Sequence, residues 1–363
     1  MPGGFHFSSF PYISSARYTM KTQITKIFNI KYPIILSGMS WISTPELVAA
    51  VANAGGLGIL ATGILKAEET REYIQRTRKL TKNPFAANVT LYFPGADRNA
   101  RVIIEEKVPV VNYALGKGDW ICKEVHAYGG KVIATVTTLK HALAAQKDGA
   151  DALIVTGHEA AGHGGAVTSL VLIPSIVDAV TIPVIAAGGF ADGRGLAAAL
   201  LLGADGISMG TRFMNSVESP VHPSQKAISN ETDVYSTVYT DKVDGLPARF
   251  MKSKGSLRLM NKKLNPLTSL IMSRKIAKLL GFPWLKLAMG IVFMGFNKSM
   301  QMARMAIGFE AFKVGTIDGD NVKGVLPIGQ VTGIIHDTPT VKQIIERIAK
   351  EAKEAQKVLA SKI

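Results

Sequence analysis

The stretch KVIATVTTLKHALAAQKDGADALIVTGHEAAGH, residues 131–163, contains one complete repeat of the pattern that decides the fold. An apolar run, KVIATV (131–136), is followed by a helix-like segment, LKHALAAQKDG (139–149), and by a second apolar run, ALIVTG (152–157). Strands that are apolar throughout and are joined by single helices are typical of parallel sheets buried on both faces. The stretch therefore predicts a strand–helix–strand unit with parallel strands.

The same alternation extends along the chain in both directions. The strand-like runs lie at 32–38, 56–61, 84–91, 109–115, 131–136, 152–157, 183–189 and 205–210. A helix-like segment separates each run from the next, and eight strands in one series favour a closed barrel over an open doubly wound sheet. We predict an α/β protein with a (β/α)8 TIM barrel over residues 20–219.

Three segments lie outside this alternation. Residues 1–19 lack the apolar core of a signal peptide, and we predict that they form a disordered extension. Residues 220–333 lose the strand–helix rhythm, which predicts a helical insertion that acts as a lid over one end of the barrel. Residues 334–363 predict a long helix that packs back on the barrel, with capping candidates at 337–340.

The composition excludes several classes of protein. A chain of 363 residues that is 47% hydrophobic can bury a sizeable core. The single cysteine, Cys122, excludes a disulfide framework within the chain, so a reducing, cytoplasmic location is the default expectation. No nucleophile elbow GxSxG and no paired spacing of metal ligands occurs, which argues against serine hydrolysis and a metal site.

The formal net charge of +15 is concentrated in one segment. Residues 245–309 contain twelve Lys and Arg and no Asp or Glu. The segment is rich in Met and Leu and lacks interleaved aromatic platforms, so it predicts basic amphipathic helices and not a nucleic-acid surface. Its longest uncharged run, 287–297, is too short to cross a bilayer, and a weak contact with a membrane surface stays open.

Glycine and polar residues collect where the predicted strands end. They are Ser37, Gly38 and Met39 after the first strand, Asn88 in the third, Gly157 to Gly165 after the sixth, Gly188 and Gly189 after the seventh, and Gly210 and Thr211 after the eighth. Barrel enzymes carry their sites on these loops, and phosphates commonly bind after the last two strands. Because GGFADGRG (188–195) opens a helix with exposed amides, these two loops predict an anion site, with Asp192 as a helix cap.

Two histidines and a glutamate lie in the glycine-rich loop 157–165. A histidine exchanges protons near neutral pH, and small neighbours allow a flat molecule to approach the backbone. His163 is therefore a candidate for proton transfer, with a loop histidine that faces water as the alternative. We predict that His158 is structural, that Glu159 orients a histidine or faces solvent, and that His222 fixes the loop after strand eight.

Taken together, these motifs resemble the 2-nitropropane dioxygenase (nitronate monooxygenase) family of FMN-dependent barrels. The motifs are YPIILSGMSW (32–41), AAVANAGGLGIL (49–60), PFAANVTL (84–91), AGH (161–163), PVIAAGGFADGRG (183–195), MGTRF (209–213) and SPVHP (219–223). They occur in order from about Met20 onward. The same family includes FMN-dependent enoyl-acyl-carrier-protein reductases and NADH:quinone reductases.

The resemblance implies that FMN is the cofactor and that His163 is the active-site histidine. The cofactor-binding residues that it implies are Ser37, Gly38, Met39, Asn88, Thr135, Gly157, Gly162, Gly188, Gly189, Gly210 and Thr211. The four residues after strands seven and eight would bind the phosphate, and the loop after strand one would face the flavin ring. The chain departs from the family at Leu36-Ser37, where relatives often have Gln-Gly, and at Thr135, where relatives can carry a lysine.

The resemblance implies nitronate monooxygenase activity, in which alkyl nitronates and O2 give carbonyl compounds and nitrite. His163 would hold the nitro oxygens when protonated or remove an α-proton when neutral. The alternative is an NAD(P)H-dependent reductase of enoyl thioesters or quinones. Its nucleotide or acidic carrier would be attracted by the basic segment 245–304. The third hypothesis is a non-catalytic protein whose barrel binds FMN or a phosphorylated ligand. The expected partners are a small substrate and O2, and a homodimer stays open.

Overall fold

The computed structural model describes residues 20–92, 95–262 and 296–363. Its eight barrel strands are β1 (Ile34–Leu36), β2 (Leu57–Ala61), β3 (Ala86–Thr90), β4 (Val110–Ala114), β5 (Lys131–Val136), β6 (Ala152–Thr156), β7 (Val184–Ala187) and β8 (Gly206–Met209). Each strand pairs in parallel with the next, and β8 pairs with β1 to close the barrel. The predicted (β/α)8 TIM barrel is confirmed. The prediction for residues 1–19 lies outside the described residues.

Helices surround the barrel as the alternation predicts. They are α1 (Gln23–Ile27), α2 (Pro45–Asn53), α3 (Ala67–Leu80), α4 (Ala96–Glu105), α5 (Asp119–Ala127), α6 (Leu139–Lys147), α7 (Ser169–Val177) and α8 (Gly193–Leu201). Ile24 and Phe28, in and just after α1, pack against the barrel interior, where Ile35, Ile133 and Ile185 are fully buried. Apolar side chains therefore fill the barrel interior at its amino-terminal end, and we look for the site at the carboxyl end, where barrel enzymes carry it.

The insertion contains a β-hairpin that the sequence did not predict. Helix α9 (Thr211–Met214) directly follows β8 and precedes the insertion. The elements after it are α10 (Pro223–Glu231), β9 (Thr237–Thr240), β10 (Ala248–Met251), α11 (Lys254–Asn261), a helix that we call the lid helix (Phe296–Thr316) and a 3-10 helix (Gln330–Ile334). Strands β9 and β10 pair antiparallel as a separate two-stranded sheet. Each strand has only four residues, too few for a clear period-two pattern. Much of the predicted basic helical segment, residues 263–295, lies outside the described residues.

The C-terminal helix runs from Val341 to Ala360 and packs on the barrel helices α8 and α2. Thr340 caps it, and Gln343 completes the capping box by accepting from the Thr340 amide at 2.9 Å. Ile344 and Ile348 bury the apolar face. Among the described residues, no helix combines the length and the hydropathy that a membrane crossing requires.

Candidate active site

A cavity of about 800 Å³ opens at the carboxyl ends of the barrel strands. This volume lies within the roughly 300–1,000 Å³ of small-molecule and cofactor sites. The sequence predicted twelve residues for catalysis or cofactor binding. All of them except Gly157 line the cavity. Gly157 is instead a packing residue, because a Cβ there would lie 2.2 Å from Ser169 Oγ.

The loops after β7 and β8 present backbone amides to this cavity. Gly188 and Gly189 adopt φ of 95° and 83°, a conformation that favours glycine. Within the described chain, the amides of Gly188, Gly189, Gly210 and Thr211 donate no hydrogen bond to a protein acceptor. Thr211 Oγ1 accepts from the Gly329 amide at 3.1 Å, which leaves its own hydroxyl hydrogen for another acceptor. These groups fit a phosphate such as that of FMN.

The first amides of α8 do not belong to this cradle. Asp192 caps the helix, as predicted, by accepting from the Gly195 amide at 2.9 Å. Glu351 of the C-terminal helix accepts from the Gly193 amide at 2.9 Å. The amides left to bind an anion are therefore those of the loop residues before the helix, which include the predicted Gly188 and Gly189.

The loop after β1 closely approaches β3. A Cβ on Gly38 would lie 2.8 Å from the Asn88 Cβ, so only glycine fits without a shift. Ser43 fixes this loop by donating to the Ser37 carbonyl at 2.7 Å and accepting from the Met39 amide at 3.0 Å. The Ser37 hydroxyl also contacts Ser208 Oγ at 2.8 Å. The three predicted loop residues thus line the cavity in a fixed conformation.

Three polar side chains form a chain across β3, β4 and β5. Asn112 Nδ2 donates to the Ile133 carbonyl at 3.1 Å and to Thr135 Oγ1 at 3.0 Å, so its Oδ1 accepts from Asn88 Nδ2 at 2.7 Å. Asn88 Oδ1 is therefore the atom left to accept from a donor in the cavity. Asn112 was missed, although an asparagine inside the apolar run PVVNYAL signals a buried hydrogen-bond network.

His163 is paired with a carboxylate from the insertion. His163 Nε2 lies 2.8 Å from Asp244 Oδ2, and the two side chains are 27% and 2% exposed. Asp244 lies in the loop between β9 and β10, and its other oxygen accepts from the Leu246 amide at 3.2 Å. Sequence reasoning missed Asp244, because no local pattern links it to a histidine 81 residues away.

The hairpin also holds the backbone of the loop after β6. Gly162 and Arg249 exchange backbone hydrogen bonds at 3.3 and 3.1 Å. The Arg249 guanidinium donates to the His158 carbonyl at 3.0 and 3.2 Å, and burial lowers its pKa. Tyr239 Oη donates to the Gly164 carbonyl at 2.8 Å. The loop that carries His163 is therefore fixed by the insertion.

The remaining candidates have structural contacts. His158 Nδ1 lies 2.9 Å from the Gly165 carbonyl, and His222 accepts from the Ser224 amide at the start of α10. Glu159 is half-buried and lines the cavity, and its contacts are with a helix terminus and not with a histidine. Its carboxylate accepts from the Ser169 amide and hydroxyl at about 3 Å, where a negative charge stabilises the amino terminus of α7.

Apolar side chains form the outer wall of the cavity. Trp41 comes from the loop after β1, Leu246 from the hairpin, and Phe309 and Phe312 from the lid helix. The Trp41 and Phe309 rings meet edge to face with centroids 6.1 Å apart. The site thus combines polar groups on the barrel with an apolar wall to which both the barrel loops and the insertion contribute.

Comparison with known proteins places the chain in a family. The sequence model of the family described as nitronate monooxygenase matches residues 21–100 and 93–351. A Rhodococcus jostii protein named (3aS,4S,5R,7aS)-5-hydroxy-7a-methyl-1-oxo-octahydro-1H-indene-4-carboxyl-CoA dehydrogenase is 37% identical over 339 residues, which cover 92% of this chain and 96% of that protein. A Staphylococcus saprophyticus protein named probable nitronate monooxygenase is 33% identical over 285 residues, 65% of this chain and 79% of that protein.

The solved structures agree with the sequence relatives. FabK from Thermotoga maritima superposes with a TM-score of 0.80 at 38% identity, over 95% of this chain and all of that one. The barrel and the matched sequence lead to one conclusion. The chain belongs to the nitronate monooxygenase family of oxidoreductases, whose members are generally flavin-dependent.

Proposed function

We propose that this chain is an FMN-dependent oxidoreductase of a coenzyme A thioester and that it removes two hydrogens from the acyl group. The Rhodococcus jostii relative is named for dehydrogenation of a carboxyl-CoA compound, and its match covers 92% of this chain. A match of that length necessarily includes most of the insertion. The relative named probable nitronate monooxygenase matches over a smaller share, 65%.

The observation that carries the proposal is that the insertion supplies part of the cavity wall. Leu246, Phe309 and Phe312 face the cavity from the insertion, and Asp244 of the insertion contacts His163. The insertion therefore forms the side of the site that a substrate would contact. The family model also spans the insertion, so the guide to the substrate is the share matched, which is 92% for the dehydrogenase relative and 65% for the relative named probable nitronate monooxygenase.

The charge of the insertion is consistent with a coenzyme A ester. Coenzyme A carries several phosphate charges, and a cationic surface near a site attracts such ligands. Lys252, Lys254 and Arg258 are exposed in and before α11, within the segment that lacks acidic residues. A nitronate carries one charge and would not need so many cations.

The barrel loops would hold the cofactor. The amides of Gly188, Gly189, Gly210 and Thr211 would bind the FMN phosphate, and Asn88 Oδ1 would accept a hydrogen bond from the flavin ring. When bound, FMN supplies a two-electron acceptor or donor. The aromatic wall would exclude water from the reacting atoms.

His163 would exchange the proton in this reaction. Its Nε2 is engaged by Asp244, so transfer to or from the substrate would use Nδ1. Proton transfer by a positioned side chain typically contributes about 10²–10⁴-fold to a rate. The side chain is partly exposed, which allows the proton to pass on to solvent.

Mass spectrometry of the acyl group tests the proposal. Holoprotein is incubated with a one-electron acceptor dye and with linear and cyclic acyl-CoA thioesters, each paired with its free acid. We expect a thioester to lose two hydrogens and the free acid to stay unchanged. His163→Gln protein with full flavin content is the matched control. If no thioester in the series loses hydrogen, the proposed function is wrong.

Nitronate oxidation is the second candidate, and the Staphylococcus saprophyticus relative favours it. In that reaction a protonated His163 would contact the anionic nitro group. Oxygen uptake and nitrite release with an alkyl nitronate measure it directly. If the enzyme instead reduces its substrate, NADH or NADPH would supply the electrons to the flavin. Each nucleotide is therefore added separately in the same assays.

A further inference from the structure

We propose that Asp244 is a positioning residue that holds His163 as the Nε2–H tautomer and thereby keeps Nδ1 as the proton acceptor. The inference rests on the proposed function only where it assigns His163 to proton transfer. The pairing itself is a feature of the geometry, since His163 Nε2 and Asp244 Oδ2 lie 2.8 Å apart. Through Asp244, the insertion thus contacts the histidine that lies on a barrel loop.

The chemistry of a carboxylate fixes the tautomer. An ionised carboxylate has acceptor atoms only, so the atom that faces it must be an N–H. A neutral imidazole carries one N–H, and placing it on Nε2 leaves the lone pair on Nδ1. In the part of the chain that the structure describes, His163 Nδ1 has no hydrogen-bond partner. That nitrogen is therefore available to a substrate.

Asp244 is fixed by its own contacts. It is 2% exposed, and its Oδ1 accepts from the Leu246 amide at 3.2 Å. Gly162, next to His163, exchanges two backbone hydrogen bonds with Arg249 on the other side of the same hairpin. The hairpin therefore holds both members of the pair, the carboxylate through its loop and the histidine through its neighbour.

The lid helix packs directly on the loop that carries Asp244. A Cβ on Gly308 would lie 2.5 Å from the Asp244 Cβ and 2.9 Å from its Cα, so the helix leaves no space there. Gln301 Nε2 also donates to the Gly245 carbonyl at 3.3 Å. The position of the carboxylate thus depends on the lid helix, which also supplies Phe309 and Phe312 to the cavity wall.

The first part of the test is the tautomer in the unchanged holoprotein. Long-range ¹H–¹⁵N spectra of protein labelled in the imidazole rings distinguish the two neutral tautomers, and His163→Gln identifies the resonances of His163. We expect the Nε2–H form. An Nδ1–H form in the wild-type protein would overturn the proposal without any need for a variant at Asp244.

The second part is Asp244→Asn, with Asp241→Asn as the matched control in the same loop. Asp241 is exposed, so the same substitution there should change nothing. An amide can donate as well as accept, so Asp244→Asn should give a mixture of tautomers. We expect kcat to fall at least about tenfold, with KM and flavin content nearly unchanged. Asp244→Glu, which keeps an acceptor-only group, should retain the Nε2–H form.

The outcomes separate this inference from the proposed function. A single Nε2–H tautomer and an unchanged kcat in Asp244→Asn would overturn the positioning role, whatever the substrate is. The expected tautomers without turnover of any thioester would leave the positioning role in place and contradict the proposed substrate. If Asp244→Asn does not fold, the tautomer of the wild-type protein still decides the question.

Discussion

The two sides of the cavity differ in how their chemistry is built. The loops after β7 and β8 present backbone amides from consecutive residues, and glycine allows their conformation. The insertion presents side chains, and its key contact joins Asp244 to a histidine 81 residues away. The first arrangement depends on local sequence, whereas the second depends on how the hairpin and the lid helix pack.

This difference explains how one family can contain several activities. A cofactor site made of loop amides tolerates changes elsewhere, because few side chains contribute to it. A substrate site on an insertion can change its chemistry when a few side chains change. We therefore expect members of the family to share a flavin cofactor and to differ in the insertion, where we propose that the substrate binds.

Substitution of His163 should give the largest expected effect, and it should change the rate without changing cofactor binding. His163→Gln is expected to lower kcat by at least about 100-fold, because a positioned acid or base is lost. The flavin content should stay at the wild-type level, since the phosphate loops are untouched. Steady-state rates and the absorbance ratio of flavin to protein measure these quantities. A rate within twofold of wild type would show that His163 is not the proton-transfer group.

Substitution of a loop glycine should affect only the cofactor side. Gly189→Ala is expected to weaken FMN binding at least about tenfold, or about 1.4 kcal/mol, because a side chain strains the left-handed backbone that presents this amide and would contact Glu159 at 3.6 Å. Gly129→Ala is the matched control, because its φ of 80° is close to the 83° of Gly189 and its surroundings are open.

Both glycine variants should lose a similar roughly 1–2 kcal/mol of unfolding free energy, since both place alanine in the left-handed region. Only Gly189→Ala should lose flavin. Fluorescence titration of apoprotein with FMN gives the affinities. Equal flavin binding by the two variants would show that the loop after β7 is not the phosphate site.

A substitution in the lid helix should act on the insertion side alone. In Gly308→Ala the new methyl group would clash with Asp244, so the loop must shift and the pair with His163 should loosen. We expect kcat to fall several-fold, a smaller effect than loss of the carboxylate itself, with FMN affinity unchanged. Stopped-flow flavin reduction checks the rate. A loss of flavin in this variant would mean that the two sides are not independent.

The smallest expected effect concerns the attachment of the C-terminal segment beside the cofactor loops. Asp337 pairs with the buried Arg212 and with Arg347, both at 2.6 Å. Burial raises the pKa of Asp337, but the hydrogen bonds from Arg347 and Arg212 outweigh it, and the net pKa lies below the ordinary value. This carboxylate therefore stabilises the fold above its unfolded-state pKa, and the contribution disappears as the pH falls through the folded-state pKa.

Asp337→Asn should thus lower Tm modestly at pH 7, with a difference from wild type that vanishes in acid. Thermal unfolding followed by circular dichroism over a pH series measures it. A Tm difference that is constant with pH would show that the charge of Asp337 does not contribute. Flavin content should change little, because Asp337 does not line the cavity.

Much of the barrel could be predicted from sequence because its signals are local. Each strand is a short apolar run buried on both faces, and the glycine loops follow directly in the chain, as at Gly188 and Gly210. The cap at Asp192 was predicted for the same reason. These features need only a few neighbouring residues, so one sequence is enough to reveal them.

The missed features depend on contacts between distant residues. Asp244 resembles an ordinary loop aspartate until the hairpin brings it to His163, and the hairpin strands are too short to show a pattern. The contact of Glu159 with Ser169 was missed because Ser169 lies on the next helix. Asn112 could have been recognised, since a buried amide in an apolar strand requires partners.

Anaerobic mixing of the holoprotein with candidate reductants, followed at the oxidised flavin band, tests the central claim most directly. The account predicts that an acyl-CoA thioester bleaches the bound flavin, that this bleaching is lost in His163→Gln, and that an alkyl nitronate reacts more slowly. Rapid bleaching by the nitronate, with no response to any thioester, would contradict the assignment of the insertion to a coenzyme A ester.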